Sequence, residues 1–258
     1  MGHRHKKRFG QNFLNNRRVI ERIVRAVDPQ PEDHLVEIGP GEAAITLPLA
    51  RSGARLDVIE IDRDLIPRLE KLFAPFDNIT LHQADALQFD FGQLTPTPLR
   101  VVGNLPYNIS SPLIFHLLGF KAAIRDMHFM LQKEVVERMT AAPGSRTYGR
   151  LSVMVQYHCD ATMLFTIGPG NFTPPPKVDS AIVRLVPRPF PVLAHDEAHL
   201  EALVKQAFSQ RRKTLRNTLK GLATPEDLEA VGIDPTLRAE AVPVEAFVRL
   251  SNLLVEKD

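Results

Sequence analysis

The 258-residue chain has a single cysteine, Cys159, which excludes an internal disulfide framework and a cysteine metal cluster and fits a reducing cytoplasm. No stretch of about 18 uncharged apolar residues is present to span a membrane. The basic N-terminus lacks the apolar segment of a secretory signal, and a functional-looking segment begins by Gln11, leaving little for a cleavable presequence. Internal repeats and low-complexity tracts are absent as well. A strong excess of one charge is also missing: 32 Lys and Arg face 30 Asp and Glu, for a formal net charge of +2. With 44% hydrophobic and 24% charged residues, the composition excludes a disordered chain and suffices for one full α/β core with a smaller appendage. Charge placement is more informative than its total, because cations cluster at His3-Arg4-His5-Lys6-Lys7-Arg8 and at Arg211-Arg212-Lys213 with Arg216 and Lys220.

After a polar lead holding Gln11-Asn12-Phe13-Leu14, the residues Val19, Ile20, Ile23, Val24 and Val27 recur with helical spacing up to Asp28-Pro29. Leu35-Val36-Glu37-Ile38 reads as a short strand running into Gly39-Pro40-Gly41-Glu42-Ala43-Ala44 and then a helix ending near Gly53. Two glycines let the backbone approach a ligand closely, and a helix N-terminus favours a carboxylate or phosphate. A second strand, Leu56 to Ile61, ends in Glu60-Ile61-Asp62, an acid about twenty residues on, where a ribose diol would be held. Two cofactor classes fit this much. Gly39-x-Gly41-x-x-Ala44 matches the relaxed dinucleotide fingerprint, while S-adenosylmethionine needs the same acid and the same bare backbone. Leu65, Leu69 and Leu72 predict a helix, and Ile79 to His82 a third strand ending in Gln83-Ala84-Asp85-Ala86, where Asp85 can accept a hydrogen bond from an adenine amino group. Alternating strands and helices argue for a parallel, doubly wound sheet with ligands at the carboxyl ends of its strands.

The fourth strand, Leu99 to Gly103, delivers Asn104-Leu105-Pro106-Tyr107 to that edge. One reading is a proline turn with a half-buried tyrosine. The other is a grip on an amino group conjugated to a flat ring: the Asn104 side-chain oxygen and the Leu105 carbonyl accept its two N–H bonds, Pro106 offers no competing donor, and Tyr107 stacks on the base. A dehydrogenase has no obvious use for such a segment. Further on, Ile114 to Leu118 predict a helix, Met127 to Leu131 a strand, Val135 to Met139 a helix, Leu151 to Tyr157 a strand and Ala181 to Val186 the last strand. Before that last strand, three consecutive prolines, Pro174 to Pro176, stiffen the chain; Phe172 is either presented rigidly or tucked into the core. After Pro187 the pattern turns helical, which places a domain boundary between residues 1–187 and 188–258. Its helices are expected at Leu200 to Phe208, from Thr224-Pro225, and over Val244 to Leu254, with the basic cluster between the first two.

Six segments, Gln11-Asn12-Phe13-Leu14, Glu37-Ile38-Gly39-Pro40-Gly41, Glu60-Ile61-Asp62, Asn104-Leu105-Pro106-Tyr107, Phe172-x-Pro174-x-Pro176-Lys177-Val178-Asp179-Ser180 and Gln210-Arg211-Arg212-Lys213-Thr214-Leu215-Arg216-Asn217, occur in the order found in the ribosomal RNA adenine dimethyltransferases. The chain resembles that family over nearly its whole length, and its bacterial small-subunit (16S) branch above all. The resemblance implies a Rossmann-like methyltransferase sheet with a small all-helical C-terminal RNA-binding domain, and an enzyme dimethylating N6 of two adjacent adenosines in a hairpin near the 3′ end of 16S rRNA. It implies S-adenosylmethionine as cofactor, with Asn12 and Leu14 closing over it, Gly39 and Gly41 lining it, Glu60 on its ribose, Asp85 and Ala86 at its adenine and Asn104 touching it. Asn104, Leu105, Pro106, Tyr107 and Phe172 would serve the target base, and Arg211, Arg212, Lys213, Arg216 and Lys220 the RNA. No metal is needed, and a cytoplasmic monomer active in small-subunit biogenesis is expected. One departure stands out: the family often carries a further glycine where this chain has Ala43, which leaves the loop backbone open. A non-catalytic assembly factor on immature small subunits fits the same basic surfaces.

Overall fold

The computed structural model describes residues 12–106 and 108–257. Gln11, Tyr107 and the cluster from His3 to Arg8 lie outside them. In chain order the described residues form β1 (Phe13–Leu14), α1 (Arg17–Val27), β2 (His34–Ile38), α2 (Thr46–Ala50), β3 (Arg55–Glu60), α3 (Ile66–Phe73), β4 (Ile79–Gln83) and β5 (Leu99–Asn104). There follow α4 (Ser110–Leu118), β6 (Ile124–Gln132), α5 (Lys133–Met139), α6 (Arg150–His158), β7 (Cys159–Ile167), β8 (Phe172–Thr173) and β9 (Ser180–Pro187). The remaining helices are α7 (Glu197–Ala207), α8 (Leu215–Thr218), α9 (Pro225–Ala230) and α10 (Val244–Val255).

Seven strands make one sheet in the order β4-β3-β2-β5-β6-β9-β7. From β4 to β6 the pairs are parallel, whereas β9 runs antiparallel to β6. The chain order reverses between β2 and β5, where β2 pairs with β3 on one side and β5 on the other, so their carboxyl ends open a crevice. All five residues of β2 are buried, as expected of a strand covered on both faces. Gly103 is required where β5 passes β2: a Cβ there would lie 2.8 Å from the Ile38 carbonyl oxygen. A separate two-stranded ribbon pairs Phe13 with Thr173 and Leu14 with Phe172.

The chain divides into two compact units, the first comprising the residues up to Val136 with Thr162–Pro187, the second Glu137–Ala161 with the residues from Arg188 on. One break between the units lies after Pro187. Residues 137–161, placed in the first domain by sequence order, belong instead to the second unit. The same region holds the one element of the wrong type, for Leu151 to Tyr157 is helical, within α6. The reason is burial: Ser152, Val153, Met154, Val155, Tyr157 and His158 are all buried, so no polar stripe breaks the apolar run and its period cannot separate helix from strand. The Gly149 N–H donates to Ser152 Oγ at 3.0 Å, and that hydroxyl donates to the Arg138 carbonyl, which fixes the helix start. The second unit has its own core around Leu200, Leu203, Val204, Leu228, Phe247 and Leu250.

Candidate active site

The crevice at the carboxyl ends of β2, β3 and β5 is a cavity of about 300 Å³. It gathers the residues expected at the cofactor, Asn12, Leu14, Gly39, Gly41, Glu60, Asp85, Ala86 and Asn104, and three expected at the target base, Leu105, Pro106 and Phe172. Tyr107 is outside the described residues. The glycine turn has left-handed backbone at Gly39 (φ 68°), Gly41 (φ 56°) and Ala43 (φ 64°). A Cβ at Gly41 would stand 3.0 Å from the Phe13 ring, so this turn needs glycine both for its φ and for close approach of the N-terminal segment. Ala43 holds the left-handed conformation that a glycine would favour, at a cost of about 1–2 kcal/mol for a residue with a Cβ. The loop thus turns without the third glycine.

Two carboxylates lie at the ends of neighbouring strands. Glu60 is 3% exposed, and its Oε1 accepts the Asp62 N–H at 2.8 Å. Burial pushes its carboxyl up, the nearby Asp62 charge adds to this, and backbone N–H groups oppose it. Glu37 is 2% exposed, and its Oε2 has no hydrogen-bond partner among the described residues. Burial pushes Glu37 up to about 7; the adjacent Thr46 hydroxyl opposes this and the Glu60 charge reinforces it. Two buried acids, one with an unpartnered oxygen, suit a ligand carrying positive charge and hydroxyl donors.

Asn104 ends β5, with its Nδ2 donating to the Asn12 carbonyl at 3.2 Å. That bond holds the N-terminal segment across the cavity and leaves the amide oxygen as the acceptor an amino group needs. The Leu105 N–H is bonded to the Met130 carbonyl at 3.2 Å, so the backbone leaving the strand is pinned. The Ile109 N–H caps the Pro106 carbonyl at 3.2 Å, closing the turn. At Asp85, Oδ1 accepts the Leu87 N–H at 2.9 Å, which orients the carboxylate in its turn. Ile61, 48% exposed, also lines the cavity and offers an apolar face for a flat ring.

A family model described as "Ribosomal RNA adenine dimethylase" matches residues 2–256. The chain belongs to that family. This dimethylase is 64% identical over 259 residues to "Ribosomal RNA small subunit methyltransferase A" of Hydrogenovibrio crunogenus, covering 97% of each chain. It is 59% identical to the protein of that name from Pseudomonas putida, over 99% of this chain and 97% of that one. Its structure matches that of a dimethyladenosine transferase from Plasmodium falciparum with a TM-score of 0.80 at 28% identity, covering 92% and 95% of the two chains. It matches the 23S rRNA methyltransferase ErmE with a TM-score of 0.74 at 28% identity, covering 95% and 100%. The fold is Rossmann-like, and the methyl donor is S-adenosylmethionine. The nicotinamide alternative is thereby set aside.

In the dimethylase, Phe172 is 4% exposed and packs in the core of the first unit, the tucked alternative, and it also lines the cavity. Glu37 was legible only as part of a motif; its missing partner is a property of the folded site. The five cations of the second unit, Arg211, Arg212, Lys213, Arg216 and Lys220, are all exposed. They do not form one basic helix. Residues 211–213 are in a turn, and only Arg216 lies in the one-turn helix α8. Arg211 is tied to the Arg146 carbonyl and stands 3.5 Å from Glu240, while Arg212, Lys213, Arg216 and Lys220 have no acidic partner among the described residues.

The Glu37 carboxyl gives a pH dependence whose sign follows from its raised value. Its ordinary value is 4.5 and its folded one about 7, so the folded chain holds an extra proton between these limits. The resulting stability is present below about pH 4.5 and lost as pH rises through 7, at most ~3 kcal/mol. Glu37→Gln is expected to flatten this slope in thermal melts of the ligand-free protein and to raise the melting temperature above pH 7. An unchanged slope would mean that Glu37 is ionised in the fold throughout.

Proposed function

We propose that this dimethylase transfers two methyl groups to N6 of each of two adjacent adenosines in a hairpin near the 3′ end of small-subunit (16S) rRNA, as a cytoplasmic monomer without a metal. The observation that carries it is the opening of Asn104-Leu105-Pro106 into the same cavity as the glycine turn and Glu60. When bound, S-adenosylmethionine supplies a methyl group made electrophilic by its sulfonium. We assign Glu60 to the ribose hydroxyls, the turn from Gly39 to Gly41 with Asn12 and Leu14 to the amino-acid end, and Asp85 with Ala86 to the adenine. The two buried acids favour a cationic ligand.

On the target side, the adenine must leave its stack, at a cost of a few kcal/mol that is smaller in a hairpin end. Asn104 Oδ1 and the Leu105 carbonyl accept the N–H bonds of the amino group and orient the nitrogen lone pair toward the methyl group. Stacking on Tyr107 and Phe172 offsets the extrusion by roughly 1–3 kcal/mol per ring. No covalent enzyme intermediate is needed. Among the described residues no helix is long and apolar enough to cross a membrane, and no group of three His, Cys, Asp or Glu could hold a metal ion.

Mass spectrometry of undermethylated small subunits incubated with protein and S-adenosylmethionine should find N6,N6-dimethyladenosine at two neighbouring positions. Methylation confined to cytosine or to large-subunit RNA would overturn the reading. Arg211, Arg212 and Lys213 are assigned to phosphates, so neutralising all three should weaken RNA binding and flatten its salt dependence by roughly 0.7–0.9 for each phosphate no longer neutralised. Cofactor affinity should not move. An unaltered salt slope would make that turn a merely solvated surface.

A further inference from the structure

Helix α1 carries a second set of cations beside the cavity, none of them in the basic cluster of the second unit. Its inward face, Ile20, Ile23, Val24 and Val27, packs into the core of the first unit. On the outside, Arg18, Arg22 and Arg25 are all exposed. Their spacing of four and then three residues sets them in one stripe along the helix, about 10 Å long at about 1.5 Å per residue. A stacked nucleic-acid strand carries one charge per about 3.4 Å, so the roughly 10 Å stripe spans about three phosphate spacings.

Three observations set this stripe apart from an ordinary solvated face. First, the helix begins with Arg17 and Arg18 and has no acid in its first turn, although the positive end of the helix dipole favours acids there. Such a placement opposes the helix and favours an anion outside it. Secondly, Arg22 is held, its guanidinium lying 3.9 Å from the centroid of the Phe165 ring. A stacked guanidinium keeps its N–H edge free for a phosphate and loses little freedom on binding. Thirdly, Glu21 on the same helix is occupied, its Oε1 accepting Arg17 Nε at 2.9 Å, and neither Arg18 nor Arg25 has an acidic partner among the described residues.

The helix start is fixed to the cavity wall. Asn16 caps α1, its Oδ1 accepting the Arg18 N–H at 2.9 Å, and its Nδ2 donates to Asn171 Oδ1 at 2.8 Å. Asn15 adds two bonds, its N–H to the Asn171 carbonyl at 3.0 Å and its Nδ2 to Thr173 Oγ1 at 2.6 Å. Phe172, between those two partners, lines the cavity, as do Asn12 and Leu14 just before the helix. We propose that Arg18, Arg22 and Arg25 form a phosphate track that holds the RNA strand flanking the extruded adenosine. The inference rests on the rRNA substrate proposed above. It gives the first unit its own hold on the RNA, running from Arg18 at the cavity end of α1 to Arg25 toward the entry of β2, in addition to the cations of the second unit.

The decisive measurement uses the full chain and a transcript of the small-subunit 3′ hairpin. For the triple variant Arg18→Gln, Arg22→Gln, Arg25→Gln, RNA affinity should fall roughly tenfold or more, and the salt slope should flatten by roughly 2–3. S-adenosylmethionine affinity by equilibrium dialysis should be unchanged. A triple variant with the wild-type slope and RNA affinity overturns the track. If that variant melts early, Arg18→Gln and Arg25→Gln singly, each flattening the slope by roughly 0.7–0.9, decide the same question. Position is read separately. Because Cys159 is fully buried, Arg18→Cys carries one accessible thiol, and an iron chelate on it should cleave the transcript beside the target adenosines. Cleavage elsewhere, or none, counts against the track. Wild-type protein that binds the transcript but methylates nothing would overturn the proposed reaction and leave the track standing.

Discussion

Asn104→Ala, folded and saturated with S-adenosylmethionine, is expected to dimethylate small subunits about a hundredfold more slowly or worse. In the proposed reaction the Asn104 amide oxygen is the side-chain acceptor that the end of β5 offers to the target nitrogen. It acts as that nitrogen loses its ring conjugation and gains positive charge, and one preorganised polar group at such a point is worth about 2.7–4 kcal/mol elsewhere. The structure adds a second consequence, because Asn104 Nδ2 also holds the Asn12 carbonyl. A modest loss of cofactor affinity is therefore expected, and turnover has to be measured at saturation. Glu60→Ala is the contrasting variant, expected to lose cofactor binding itself, because in the proposed site it is the acceptor for the ribose hydroxyls. Phe172→Ala is less clean than its stacking role suggests: the ring is buried, so its removal also costs about 3–5 kcal/mol of stability. Tyr107→Ala should weaken capture of the base with the cofactor still bound. A normal rate for Asn104→Ala would show that the segment only shapes the turn.

The largest effect on stability is expected at Arg100, far from the chemistry. Its side chain is buried in β5 and makes five hydrogen bonds: to Asp33 Oδ2 at 2.6 Å, to Asp126 Oδ1 and Oδ2 at 3.0 and 3.1 Å, and to the Val27 and Asp28 carbonyls at 2.5 and 3.2 Å. It thereby fastens β6, the entry to β2 and the carboxyl end of α1 to the middle of the sheet. Burial alone would raise Asp33, but the Gln30 N–H, Arg100 and Arg125 outweigh it and hold the carboxyl below its ordinary range. Arg100→Ala leaves two buried carboxylates without their main partner, a loss of about 3–5 kcal/mol. The deficit should shrink as pH falls, since protonation removes the unpaired charges that the variant can no longer stabilise. Urea unfolding at pH 5 and pH 8 measures both effects. A deficit under about 1 kcal/mol, or one independent of pH, would mean that Arg125, 3.1 Å from Asp33, is a sufficient partner.

What the sequence determined by itself was local and chemical. The turn at Gly39 and Gly41 requires bare, left-handed backbone whatever surrounds it, and the acid ending β3 follows at a spacing set by one βαβ unit. Asn104-Leu105-Pro106 reads either as a proline turn or as a grip on an amino group, and its order among the other segments favours the second. Such requirements are written in a few consecutive residues, so the cavity's lining could be named before the fold was seen. The tertiary structure decided whatever depends on packing between distant segments. Six of the nine residues of α6 are buried, which blurs the polar stripe that marks a helix, and residues 137–161 join the second unit through packing that no composition change announces. Glu37 looks like any strand acid until its oxygen is found buried and unpartnered. Arg100, Asp33 and Asp126 are ordinary charges in sequence and one buried network in space. Even Ala43 needed the fold: only the assembled loop shows that alanine is held where glycine would be easier, because the closed turn fixes φ more strongly than the side chain resists it.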